Sequence, residues 1–428
     1  MKVAALWMSR NPFLLWAAFI IAHLWLGLVN LYCRCYPMGD VTAVYKFWVD
    51  QAIVNHFYVG IDSQWVYPIV ALVPMLLAFA FGSTFYASTW LSMVMVLNCI
   101  AFGVLTGWGR RPDRTAIAWW WVAFLFLLGP IALGRIDSVT VPLAMVGVLL
   151  LARHPRAAAL ILTIATWIKV WPAALIAAII ISVRARLRIL TVALVTSLGI
   201  IAIVFALGGG AYVFSFVSQQ TGRGLQIEAP ISTIWLWMTA ASVPGTRVYY
   251  DLPILTFQVD GPGSSIAAGL MTPLLAIAVL AICALGVLAV RRGAATVQLL
   301  PALSLALVTA FIVFNKVGSP QFESWIAVPI VLGLVSWHEG GRSFRTPAIL
   351  TLVIAAITQA IYPYLYDYVL TVNPLMLIAL TSRNILLIVL LGWALAAVIQ
   401  LVRRAPHAEL EEPLAAPTRW PLREVEQS

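Results

Sequence analysis

Apolar runs of about 17 to 25 residues, the length that spans a bilayer as a helix, recur along this chain between short clusters rich in Arg, Gly or Pro. The hydrocarbon core offers no water to backbone N–H and C=O groups, so only helices and closed barrels can cross it. These runs are too long and too uniformly apolar for the alternating strands of an outer-membrane barrel. Only 10% of the 428 residues are charged and 62% are hydrophobic, against roughly 25% charged in a soluble domain; the mean hydropathy is +0.97. The chain therefore reads as an all-α integral membrane protein, a polytopic bundle of about 12 helices. Its formal charge of +10 sits in clusters between apolar runs, which suits cytoplasmic loops and not a nucleic-acid surface.

The opening MKVAALWMSRNPFLLWAAFIIAHLWLGLVN has a basic start, but its apolar stretch exceeds a signal peptide's and no small-residue cleavage site follows. It reads as a retained first span, about 12–31. Lys2 and Arg10 place the amino terminus in the cytoplasm and deliver the loop after Asn30 outside. The stretch WVYPIVALVPMLLAFAFG, broken by Pro68 and Pro74, reads as a re-entrant or interfacial segment, and the second span covers 84–107. Basic clusters at 109–114, 153–156, 184–188, 291–292 and 338–345 then all fall inside. The chain between RHPR and RARLR is too short for two full spans. It predicts a short helical hairpin whose apex, TWIKVWP at 166–172, stops near or within the outer half of the membrane. A long outer loop with an amphipathic piece at 231–241, spans on either side of NKVGSPQFES, and a last span of about 383–402 complete the domain, 1–402. Residues 403–428 read as a disordered cytoplasmic tail. No internal repeat and no inverted pair of interrupted spans is evident.

Ionisable residues near membrane depth cost about 2.5 to 3.5 kcal/mol or more, so each needs a partner or a role. Most gather on the outer side: Asp40, Lys46, Asp50, His56, Asp62, Arg135, Asp137, Lys169, Arg223, Glu228, Lys316, Glu323 and Arg383. Mixed acids and cations beside lipid suit a lipid phosphate carrying a polar head, with cations on the phosphate and a carboxylate to take a hydroxyl proton. Asp40, after Gly39 at the start of DVTAVYKFWVDQAIV, is the candidate base; a helix N-cap is its structural alternative. Asp50 reads as a solvated helix position or a site residue, and His56 and Asp62 could bond each other or a substrate. Lys169, between Trp167 and Trp171, either meets an anion or snorkels to the interface. Arg135 with Asp137, and Lys316 with Glu323, could be local ion pairs. The tryptophans at 119–121 read as interfacial packing. Cys33, Cys35, Cys99 and Cys283 show no metal spacing and imply no function. Walker, His-Glu-x-x-His and Gly-x-Ser-x-Gly signals are missing, and nothing announces a metal site or another cofactor.

The segments GDVTAVYKFW, WVYPIVALVP and GRIDSVTVPLAMVGVLLLARHPRAAALILTIATWIKVWPAALI resemble the polyprenol-phosphate-mannose-dependent mannosyltransferases of glycosyltransferase family 87, in the C-type membrane glycosyltransferase superfamily. GRGLQIEAP, NKVGSPQFESW and TSRNILLIVLL are similar to actinobacterial relatives of that family. The sequence departs from the family at Tyr67-Pro68-Ile69, where paired prolines are usual, and at GRID, where a Gly-Gln type pair is common. The resemblance implies a C-type fold, its first extracytoplasmic loop packed as interfacial helices, and an inverting transfer with Asp40 as base. It also implies that Lys169 faces the donor phosphate, with Arg135 and Arg223 as further candidates. Tyr45, Asp50, His56, Tyr67, Asp137, Glu228, Lys316 and Gln321 complete the candidate substrate-binding set. The expected partners are a polyprenyl-phosphate sugar, a lipid or glycan acceptor and membrane lipids, at a bacterial plasma membrane. The rival expectation is a transporter or flippase of an anionic lipid or solute; a catalytically dead scaffold of the same fold is a third.

Overall fold

The computed structural model describes residues 11–404. Lys2, Arg10 and the tail from 405 lie outside the described residues, as do the expectations placed on them. Helix α1, Pro12–Tyr32, opens with Asn11 accepting from the Phe13 N–H and with a proline at its first position, two devices that satisfy a helix start. The loop beyond it is helical too. A π turn, Asp40–Tyr45, runs directly into α2, Lys46–Val54, and a 3-10 turn, Ile69–Ala71, leads into α3, Leu72–Leu77. Proline lacks the N–H that a longer helix would need, and Pro68 and Pro74 confine this stretch to a short element, as expected. Helices α4, Tyr86–Thr106, and α5, Thr115–Leu128, flank the 109–114 cluster.

Three short apolar helices follow: α6, Asp137–Leu150, α7, Pro155–Ile168, and α8, Ala173–Ser182. The expected hairpin is present: α7 ends where Lys169 turns extended and Pro172 precedes the start of α8. Helix α9, Arg186–Ala206, leads to α10, Ser215–Thr221, then β1, Leu225–Gln226, and α11, Thr233–Ala240, which is the expected amphipathic piece. Strands β2, Arg247–Asp251, and β3, Thr256–Asp260, complete an antiparallel sheet of order β1-β3-β2, with Tyr249 opposite Gln258. The chain is a helical membrane protein as expected, and this small sheet is an addition to it: RVYYD and TFQVD carry the β-branched and aromatic residues that fit a half-buried pleated surface.

The remaining elements are α12, Ser264–Arg291; α13, Thr296–Val313; a 3-10 segment, Pro320–Ile326; α14, Ala327–His338; α15, Arg345–Gln359, with a π turn Ala360–Tyr364; α16, Tyr366–Leu370; and α17, Pro374–Arg404. The last helix starts well before the expected residue 383, which places Arg383 inside it, and it passes the expected boundary at 402. Counted with their flanking turns, α1, α4, α5, α9, α12, α13, α15 and α17 are the 8 helices among the described residues long and apolar enough to cross a membrane, with α6, α7 and α8 as shorter apolar helices. Full-length helices alone do not reach the expected count of about 12.

Helix α13 is the core, buried along most of its length and packed against α8, α12, α14 and α17. Helix α9 is the opposite case, with only Ile189 and Val204 buried. Two glycines permit close loop approaches. A Cβ on Gly134 would stand 2.9 Å from Asn30 Oδ1 and 3.3 Å from the Pro37 carbonyl, and one on Gly318 would collide with the Glu228–Ala229 backbone. Both approaches bring loops together at one end of the bundle, where the ionisable residues collect.

Candidate active site

Asp40 opens the π turn and does not cap it: no side-chain capping bond forms at this helix start. Its Oδ2 instead meets Arg135 Nε at 3.1 Å, with Asp40 41% exposed and Arg135 7%. Arg135 is fixed by three further acceptors, Nη1 donating to the Pro37 and Gly134 carbonyls and Nη2 to the Tyr362 hydroxyl at 2.7 Å. A planar guanidinium held at this many points is a rigid mount for the carboxylate. Burial opposes the Arg135 charge, but Asp40 and Tyr362 outweigh it and hold its pKa above the ordinary arginine value. The local Arg135–Asp137 pair weighed from sequence does not form, because the two side chains find distant partners.

Beside this pair, the Tyr45 and Tyr67 hydroxyls lie 3.4 Å apart, and Tyr45 accepts from the Ile136 N–H at 3.3 Å. Burial raises the pKa of both phenols, with Tyr67 pushed further by the Asp40 carboxylate. Both are therefore neutral donors at ordinary pH.

Asp137, 1% exposed, accepts from Lys169 Nζ at 2.7 Å, while Lys169 is 15% exposed. Its other oxygen accepts from Trp325 Nε1 at 2.6 Å. The ammonium also stands over the rings of Phe322 at 4.9 Å and of Tyr67 and Trp325 at 5.7 Å each, a cation–π arrangement that favours a fixed charge in a desolvated place. Trp171 stacks on Trp325 at 5.5 Å and donates to Thr140. Lys169 thus meets an anion, and that anion is supplied by the protein itself.

A second charged layer lies behind. Arg383 Nη1 donates to Glu228 Oε2 at 2.6 Å, its Nη2 to the Glu228 carbonyl, and its Nε stands 3.8 Å from Glu323 Oε1. Glu323 Oε2 is buried without a partner. Burial raises the pKa of Glu228, against Arg383, and pushes that of Glu323 up to about 7 as Glu228 and Asp137 add to the effect. The Lys316–Glu323 pair weighed from sequence is replaced by Arg383–Glu323. Lys316 is itself buried, and burial and then Arg223 lower its pKa. Arg223 leaves Nε buried without a partner; burial lowers its pKa while Tyr67 and Asp251 oppose. Gln321 is buried in the 3-10 segment next to Phe322.

Three sequence candidates stand apart from these contacts. Asp50 pairs with Lys46 at 2.9 Å within α2. His56 is exposed at φ +52°. Asp62 accepts from the Tyr58 N–H at 2.7 Å and so closes its own turn. Trp325, Phe322 and Tyr362 were not among the sequence candidates, since an aromatic residue in QFESW or YPYLYDYV carries no local sign of the charge it faces. Cys33 and Cys35, for which no role was expected, form a disulfide in the Asp40 loop. Among the described residues no three His, Cys, Asp or Glu side chains converge as a metal-binding group.

The model of glycosyltransferase family 87 matches residues 65–320. That stretch contains Tyr67, Arg135, Asp137, Lys169, Arg223 and Glu228, whereas Asp40 precedes it and Glu323 and Arg383 follow it. No curated protein and no solved structure matches the chain. The family is one of transferases, so the transporter expectation draws no support from it. With the match covering more than half of its length, the chain belongs to glycosyltransferase family 87.

Proposed function

We propose that the protein transfers a hexose, mannose by its resemblance to polyprenol-phosphate-mannose enzymes, from a polyprenyl-phosphate donor to a hydroxyl of a lipid-linked or cell-envelope glycan, with inversion. The reading rests foremost on the Asp40–Arg135 pair. Arg135 engages one carboxylate oxygen and fixes its direction, while the half-exposed carboxylate keeps its other oxygen available to take a proton. In the step proposed, Asp40 accepts the acceptor hydroxyl proton as that oxygen bonds to the anomeric carbon. The bond from that carbon to the phosphate oxygen breaks, and polyprenyl phosphate leaves with the electron pair. Lys169 retains hydrogens beyond the one given to Asp137, and Arg223 has its unpartnered Nε; these two would hold the leaving phosphate, where fixed cations are most effective. The neutral phenols of Tyr45 and Tyr67 would line the sugar side.

The site is proposed to face outward across a bacterial plasma membrane. Basic clusters lie at the turns α4–α5, α6–α7, α8–α9 and α12–α13, which suits a cytoplasmic side. The Cys33–Cys35 disulfide in the Asp40 loop suits an oxidising compartment.

The test is transfer of radiolabelled mannose from synthetic polyprenyl-phosphate-mannose into a membrane lipid extract by wild type and Asp40→Asn. Asparagine keeps an acceptor oxygen for Arg135 but cannot serve as the base, so transfer should fall by about 10²- to 10⁴-fold. Equal transfer by both proteins would remove Asp40 from the mechanism. Failure of wild type with every donor sugar supplied would refute the donor class.

A further inference from the structure

At the opposite end of α7 from Lys169 lies a shallow, open cavity of about 430 Å³ lined by Arg153, His154, Pro155, Arg156, Ala157 and Arg188. It shares no residue with the charged layers around Asp40. Its cations come from two segments, the α6–α7 turn and the first turn of α9, and among the described residues Arg153, Arg156 and Arg188 form no salt bridge. The acids in described ion pairs at this end, Asp113 and Glu339, are taken by Arg111 and Arg114. Like charges converge here, and among the described residues no acidic side chain pairs with them.

The local backbone adds to the imbalance. Helices α7 and α9 both begin at this cavity, with no side-chain cap and no acidic residue in the first turn. Helix starts carry partial positive charge, and arginines there are unfavourable until an anion arrives.

The surface beyond the cations is apolar. Leu160 lies one helical turn from Arg156, and Val195 lies two turns along α9 from Arg188 on the same face. Both are exposed, at 42% and 63%, on helices of a chain that spans a membrane. A free phosphate would use the cations and leave this surface unused. An amphiphile would cover both.

We infer that this cavity binds the phosphate headgroup of an anionic phospholipid, its acyl chains lying along the exposed Leu160 of α7 and Val195 of α9. The site is independent of the transfer reaction proposed above, and binding is measurable without substrate.

The experiment is native mass spectrometry of the full-length protein in detergent, titrated with phosphatidylglycerol or phosphatidylcholine. Wild type should retain phosphatidylglycerol preferentially. Each arginine removed should weaken retention about fivefold, from the roughly 1 kcal/mol a basic residue contributes near an anionic lipid surface. The Arg153→Ala, Arg156→Ala, Arg188→Ala variant should therefore lose about 10²-fold. A control with the same charge removed elsewhere, Arg110→Ala, Arg291→Ala, Arg403→Ala, should lose less than twofold. Single Arg156→Gln and Arg188→Gln variants carry the test if the triple variant fails to fold. Equal losses in pocket and control variants would show diffuse surface charge and overturn the site, as would undiminished retention by the pocket variants. Displacement of phosphatidylglycerol by millimolar inorganic phosphate would overturn the lipid assignment in favour of a free-anion site.

Discussion

Replacing Lys169 by methionine separates its structural role from its proposed catalytic one. The substitution preserves much of the side chain's length but leaves Asp137, almost wholly buried, without its cation. Removing one member of a buried ion pair typically costs about 3–5 kcal/mol, because the remaining charge has lost both water and partner. The Trp325 N–H still donates to Asp137 at 2.6 Å, so the expected loss is near the lower end, about 3 kcal/mol. Asp137→Asn in the same chain removes the stranded charge and should recover most of that loss. The assay is a double-mutant cycle of unfolding in mixed detergent micelles, followed by intrinsic tryptophan fluorescence. A coupling energy of about 3 kcal/mol is expected, and strictly additive losses would refute the account of the pair as a mutual requirement. The folded double variant then reports on catalysis. If Lys169 holds the leaving phosphate, the variant transfers sugar poorly despite regained stability; wild-type kinetics would confine Lys169 to a structural role.

Arg135→Lys keeps the charge but offers a point donor where a planar fork serves Asp40, two carbonyls and Tyr362. A misplaced base of this kind should lower kcat by about 10²-fold with little effect on accumulation, and unchanged kcat would contradict the mounting role. Glu323 binds its proton more tightly folded than unfolded, its pKa raised from 4.5 to about 7. Its contribution to stability is therefore complete below about pH 4.5 and is lost as pH rises towards 7, flat above. Glu323→Gln should flatten that dependence in pH-resolved unfolding, and an unaltered profile would assign it to another group. Maleimide should label only Cys99 and Cys283 in the unreduced, SDS-unfolded protein and all four cysteines after reduction; labelling of four at the outset would contradict the disulfide.

Where a feature depended on neighbours in sequence, it was legible. The prolines at 68 and 74 implied a short, broken stretch, and the distance between RHPR and RARLR implied a hairpin with Lys169 at its break, as found. The partners of the charges were not legible. Asp40 meets Arg135, Asp137 meets Lys169 and Glu228 meets Arg383, pairings across long separations that follow from how helices pack. Local spacing suggested Arg135 with Asp137 and Lys316 with Glu323 instead, since only proximity in sequence was visible. The small sheet escaped notice because its strands are short and lie inside a loop whose apolar helical piece dominated the pattern. Arg383 looked like the edge of a span because charge ordinarily marks one. The buried carboxylates that hold it within α17 come from other segments.

The brevity of α6 and α7 bears on how the bilayer meets this protein. Each has 14 residues and rises about 21 Å, and the Asp137–Lys169 pair stands at the ends of both. A typical hydrocarbon layer is about 30 Å thick. Helices α12 and α17, of 28 and 31 residues, exceed that thickness, while α6 and α7 fall short by about 9 Å. Helix α6 is buried along nearly its whole length, and α7 exposes only Arg156 and Leu160, so neighbouring helices and not lipid enclose the short span, and it asks no thinning of the bilayer. Protein packing alone therefore sets the depth of the Asp137–Lys169 pair, and a change of bilayer thickness should leave that pair undisturbed.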